Sequence, residues 1–235
     1  MEQRRRRKHT AQKRVLVVCR DQRGFFQTTP AGRTSLAKLE RAVAVVVERS
    51  RKQTRCRIEQ SAASNRCRKA RRTLYQGLKH VANVSVHVAR LDASVSVFPR
   101  TSWTTDDDLI ARADVILAAA FRHEELFVSK GVQPGLLASL ARAAAVLKQG
   151  KEAIIRTRAQ FTQATAAIDR ALRDAHNAIR VLRGILATSP DAPVGAVTAV
   201  RLAQRIGPRA APVRARAAAR LAGPPSRSRA SARLR

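Results

Sequence analysis

The sequence predicts an all-α protein: a bundle of four or five helices, with long antiparallel helical hairpins and disordered basic termini. Three observations carry that reading. Ala fills 43 and Arg 38 of the 235 positions, and both are strong helix formers. Apolar residues recur at three- and four-residue spacing over most of the chain. Helix starts and stops punctuate that spacing, while Gly and Pro are sparse outside the two ends.

Residues 1–33 hold basic and polar runs with Gly24, Pro30 and Gly32 and little periodicity, which predicts a flexible basic N-terminal arm. Order is expected to begin at Thr34 or Ser35, either of which can cap a helix. Leu36, Leu39, Val43, Val46 and Val47 then fall at helical spacing. The stripe weakens through Ser50-Arg51-Lys52-Gln53 and returns with Ile58 and Ala62. It resumes from Ala70 through Leu74, Leu78, Val81, Val84 and Val88 to Leu91. This reads as two helices, or as one long helix with a weak middle. Val84-Ser85-Val86-His87-Val88 also alternates like a strand, and Val95-Ser96-Val97 repeats the pattern. The longer 3-4 spacing that contains the first run assigns it to helix, with a hairpin as the alternative.

After a connection over Pro99–Thr104, Thr105 followed by Asp106, Asp107 and Asp108 is a strong helix start: a hydroxyl cap, then acids where the macrodipole is positive. Its stripe runs from Leu109 to Phe127 and Val128, and Lys130-Gly131 ends it. Pro134-Gly135 opens the longest run. Leu140, Ala144, Leu147, Ile154, Phe161, Ile168, Leu172, Ala175, Ile179, Leu182 and Leu186 lie on one alternating 3-4 ladder, with Lys151, Arg158 and Thr165 in the remaining seam positions. Such a coiled-coil-like ladder describes a helix packed lengthwise on others. Unbroken from Leu136 to Thr188 it spans about 80 Å, with Gly150 a candidate kink. Ser189-Pro190-Asp191 stops it, and a short amphipathic segment follows over Val194–Ile206. The domain expectation is therefore an arm over 1–33, a helical bundle over 34–206, and a disordered Arg/Ala/Pro-rich tail over 207–235.

Charge divides unevenly along this plan. The chain carries +31, of which residues 1–100 hold +19, residues 101–191 hold +2 and residues 192–235 hold +10. The best-patterned helices are nearly neutral, and a polyanionic partner concerns the ends and the first helical segment. Arg outnumbers Lys 38 to 9, a preference that GC-rich codon usage also produces. Aromatic residues are 3% of the chain, which argues against aromatic-lined pockets.

The stretches Asp106-Asp107-Asp108-Leu109-Ile110-Ala111-Arg112-Ala113, Phe127-Val128-Ser129-Lys130-Gly131-Val132-Gln133-Pro134 and Ala164-Thr165-Ala166-Ala167-Ile168-Asp169-Arg170-Ala171-Leu172 resemble uncharacterised bacterial all-helical proteins. The resemblance covers residues 34–206 and implies long helical hairpins. It carries over no activity and no catalytic residue, and the basic ends depart from its pattern.

The search for chemistry yields no catalytic residue, no cofactor site and no metal site. His123-Glu124-Glu125 lacks the second zincin histidine, since position 127 is Phe. Asp106, Asp107 and Asp108 point in different directions from a helix and read as capping acids. Cys19, Cys56 and Cys67 are odd in number and show no C-x-x-C spacing, so they read as small semi-buried thiols; His80 and His87 do not complete a zinc set with them. Gly131-Val132-Gln133-Pro134-Gly135 lacks the lysine and hydroxyl of a phosphate loop. Asp169, Asp174 and His176 have no paired nucleophile, and Asp169 with Arg173 reads as an i, i+4 ion pair. Val15-Leu16-Val17-Val18 is too short for a signal-peptide core, and no run spans a bilayer, so the expected location is cytoplasmic and no membrane role is expected.

Two function classes follow. The first is a non-enzymatic structural or interaction protein that binds itself or a protein partner through helix faces, motivated by the Leu140–Leu186 ladder. No small-molecule substrate is evident. The alternative is a basic nucleic-acid-associated protein making sequence-independent phosphate contacts through Arg4, Arg5, Arg6, Arg7, Lys8, Arg66, Arg68, Lys69, Arg71 and Arg72.

Overall fold

A computed structural model describes residues 2–98 and 105–205. Among them are seven helices and no strand: α1 (Gln3–Asp21), α2 (Arg23–Gln27), α3 (Pro30–Val88), α4 (Asp106–Arg122), α5 (Glu124–Ser129), α6 (Leu136–Thr188) and α7 (Ala196–Gln204). The all-α expectation holds, and Val84–Val88 is helical. The tail expected to be disordered lies outside the described residues.

The frame is α3 against α6, 59 and 53 residues long. They run antiparallel, because their contacts step in opposite directions along the two sequences. Gln53 Nε2 donates to Thr165 Oγ1 at 2.7 Å, Cys56 Sγ lies 3.8 Å from Gln160 Oε1, and Cys67 Sγ lies 3.9 Å from the Leu147 carbonyl oxygen. The weak middle of the first stripe is thus one helix, held through its polar stretch by a partner running alongside. Gly150 does not break α6, which runs unbroken from Leu136 to Thr188. It is buried where a Cβ would strike Cys67 Sγ, so glycine there permits close approach of the two helices.

Two hydrophobic cores form at the ends of this beam. One joins α1, α2 and α7 to Leu36–Val46 of α3 and Ile168–Leu186 of α6. The other joins α4 and α5 to Cys67–Val88 of α3 and Leu137–Leu147 of α6. Between them the buried seam is made of Gln53, Cys56 and Ala63 against Gly150, Thr157 and Ala164, all small or polar. Such side chains let two helices meet but leave little apolar surface for a third, so this stretch is a two-helix waist.

The expected arm at 1–33 is corrected. Residues Gln3–Asp21 are helical, and Val15, Cys19 and Phe26 are fully buried in the first core. The buried positions of α1 are His9, Ala11, Gln12, Val15, Leu16 and Cys19, a helical stripe that includes the polar His9 and Gln12. Arg20 Nε reaches Glu40 of α3 at 2.9 Å, adding a tie at the surface. The start of α3 also moves: Thr29, not Thr34 or Ser35, is the cap, its hydroxyl accepting from the Gly32 N–H at 3.1 Å, with Pro30 in the first turn.

Thr105 caps α4 as expected, accepting from the Asp108 N–H at 3.2 Å. The following acids do more than cap. Asp106 Oδ1 lies 3.2 Å from Arg71 Nε, and Asp107 pairs with Lys151, fastening α4 across both long helices. The expected continuous helix to Val128 instead bends at His123, whose Nδ1 lies 3.4 Å from Asp92 Oδ2, and restarts as α5. That bend turns Phe127 into the core, stacked on Phe98 at 6.2 Å. Gly131 follows with φ 97°, a left-handed geometry that favours glycine.

Candidate polyanion-binding grooves

Two basic grooves are built on the beam. The first, of 760 Å³, lies at the waist between α3 and α6. Its cations are Arg49, Arg51, Lys52, Arg55, Arg66 and Arg156, against only Glu48 and Glu59. The local sequence explains the alignment. Lys52, Arg55 and Arg66 each immediately precede a buried seam residue, Gln53, Cys56 and Cys67, and on α6 Arg156 precedes buried Thr157. A residue one position before the seam sits about 100° to one side of it. All four therefore crowd the same flank. Arg49 Nε is buried without a hydrogen-bond partner, and Arg49 Nη2 lies 3.7 Å from Glu48.

The second groove, of 970 Å³, lies between α1 and α6. Arg4, Arg5 and Lys8 face Arg173, Arg180 and Arg183, with His176 beside them, against Glu2 and Asp169. Arg5 donates from Nε and Nη2 to the two Asp169 oxygens at 2.7 and 2.8 Å, a two-pronged bond that holds its pKa above the usual value. Asp169 therefore bonds across to α1, where the sequence pairs it with Arg173. Gln12 Nε2 donates to the Leu172 carbonyl at 2.8 Å, fixing α1 at the base of the groove.

The sequence-derived cations divide accordingly. Arg4, Arg5 and Lys8 line the second groove and Arg66 lines the first. Arg6 is exposed and Arg7 half-buried, and neither lines a groove. Arg68, Lys69 and Arg72 are exposed around the circumference of α3, and Arg71 is engaged by Asp106. Adjacent positions on a helix diverge, so the 66–72 cluster is dispersed, not gathered. Sequence reasoning missed Lys52, Arg55 and Arg156, and also Arg173, Arg180 and Arg183 in a segment whose net charge of +2 conceals them. The available signal was spacing: 173, 176, 180 and 183 form a 3-4-3 stripe on one face of α6.

Neither groove is lined by Phe, Tyr or Trp, so each offers charge and hydrogen-bond donors without a stacking platform. Of the three cysteines, Cys56 lines the first groove. All three are buried and unbridged, and burial pushes the Cys19 thiol up to about 11 and the Cys67 thiol upward as well. Among the described residues no group of three or more His, Cys, Asp or Glu could hold a metal ion, and no helix is long and apolar enough to cross a membrane. Comparisons of the chain with protein-family models, with curated proteins and with solved structures find no match.

Proposed function

We propose that this chain is a non-enzymatic, nucleic-acid-associated helical protein that contacts duplex phosphates without reading sequence. The observation that carries the proposal is the pair of grooves, each presenting six Arg or Lys against two acids. Like charges packed side by side oppose folding, whereas a polyanion lying in the groove relieves the repulsion and releases its own counterions. The missing aromatics favour phosphate contacts on a duplex over base stacking on a single strand.

Helix-face association is less well supported. The ladder at Leu140, Leu147, Ile168, Leu182 and Leu186 is buried within the chain. The large exposed apolar residues of the two long helices, Ile58, Tyr75, Val146, Ile155 and Val181, are dispersed along them, and scattered single apolar residues are ordinary surface.

A salt titration of duplex binding tests the proposal. Five phosphates neutralised in one groove give a log–log slope of about −4.5, or about 500-fold weaker binding between 50 and 200 mM salt. Reversing Lys52, Arg55, Arg156, Arg173, Arg180 and Arg183 together to Glu should abolish that dependence. Salt-independent binding, or wild-type affinity in the sixfold variant, overturns the proposal.

A further inference from the structure

The two grooves do not lie on the same side of the beam. On α6, Arg156 of the first groove comes one residue before buried Thr157. Asp169, Arg173, His176 and Arg180 of the second groove each come one residue after a buried one, namely Ile168, Leu172, Ala175 and Ile179. One residue is about 100° of rotation, so the first set projects from one flank of the seam and the second set from the other. Along the axis, the 24 residues from Arg156 to Arg180 correspond to about 36 Å.

Duplex nucleic acid is stiff, with a persistence length of about 50 nm. A single straight duplex seated in the waist groove cannot turn around a two-helix beam to reach the opposite flank within about 36 Å. Each groove nevertheless has its own excess of cations and its own open trench. Resting on the nucleic-acid reading above, we infer that the two grooves hold two separate duplex segments at once, so that one chain bridges them. The Arg5–Asp169 bond and the Gln12–Leu172 bond hold α1 in place as one wall of the second groove, which makes that site part of the fold. The waist groove is bounded by α3 and α6 alone, so the continuous beam fixes the offset between the two sites.

The test uses the full chain, a bead-tethered duplex and a second, labelled duplex free in solution. Wild-type protein should carry the labelled duplex onto the beads at low salt. A first variant reverses Lys52, Arg55 and Arg156 to Glu, and a second reverses Arg173, Arg180 and Arg183 to Glu; matching Gln sets provide milder versions, with helicity checked by circular dichroism. Each single-groove variant should still bind one duplex in solution, while capture of the labelled duplex falls to the level seen without protein. Wild-type protein that binds the tethered duplex but captures no second one at any ratio overturns bridging and leaves the nucleic-acid reading standing. A single-groove variant that captures as well as wild type also overturns it, because self-association or the residues beyond 205 then make the bridge. Absence of any duplex binding by wild type overturns the underlying reading as well.

Discussion

Truncation of Phe26 distinguishes a packed N-terminus from a loose one. Phe26 sits in α2 with no exposed surface, and its ring meets Phe25 edge-on at 5.4 Å and 69°. Phe26→Ala removes a complete aromatic ring from the core shared by α1, α3, α6 and α7. Loss of burial plus the cavity left behind costs about 3–5 kcal/mol. The edge-on ring pair accounts for roughly 0.5–1.5 kcal/mol of it. Phe25→Ala, at a half-buried position, loses the same ring pair but less burial and should cost clearly less. Urea unfolding followed by helical circular dichroism measures both. With a urea m-value of about 3 kcal/mol/M, the Phe26→Ala midpoint should fall by roughly 1–1.7 M. A shift corresponding to less than about 0.5 kcal/mol, the usual range for an unremarkable surface change, would refute the packing of this segment.

Two further outcomes follow from the interior. Gly150→Ala should destabilise the chain by about 1–3 kcal/mol, despite a helix-propensity gain near 1 kcal/mol, because its Cβ strikes Cys67 Sγ. Adding Cys67→Ala should recover most of that loss, so additive effects in the double-mutant cycle would argue against the contact. His9 is buried with Nε2 unpartnered, and desolvation followed by the charge of Lys13 holds its pKa below the usual value. The unfolded chain therefore takes up the proton first, and the stability contributed by neutral His9 is complete above about pH 6.5 and is lost as pH falls below it. His9→Gln should flatten the decline in urea midpoint between about pH 7 and pH 5; an unchanged slope would show that His9 does not drive it.

The sequence and the fold agree where one signal dominates. The Thr105 cap and its three acids place α4, and the ladder from Leu140 to Leu186 places α6. The first segment was hidden because its buried stripe opens with the polar His9, includes the polar Gln12 and follows directly on the run Arg4–Lys8, so composition masked periodicity. Gly150 reads in sequence as a kink or break, and only its neighbour Cys67, far along the chain, identifies it as a close approach. Net charge concealed the second groove, because the acids of residues 101–191 sit largely elsewhere: Asp106 and Asp107 on α4, Glu124 and Glu125 on α5. Local sequence identifies a residue's flank on its own helix. It does not identify which distant helix supplies the opposite wall.

The antiparallel pairing of α3 and α6 also orders events in time. The core beside the connecting segment draws only on residues 67–147, whereas the far core needs residues 15–46 together with residues 168–200. During synthesis α1, with Val15, Leu16 and Cys19 on its apolar face, emerges well before the α7 surface it packs against, which includes Val200. Until then that face has no complete partner, and unpartnered apolar surface on a growing chain is what chaperones bind and what aggregates. The basic run at Arg4–Lys8 keeps the waiting helix strongly charged and repels other copies of itself. Arg4, Arg5 and Lys8, which line the second groove in the fold, thus also charge the helix before α6 and α7 are made.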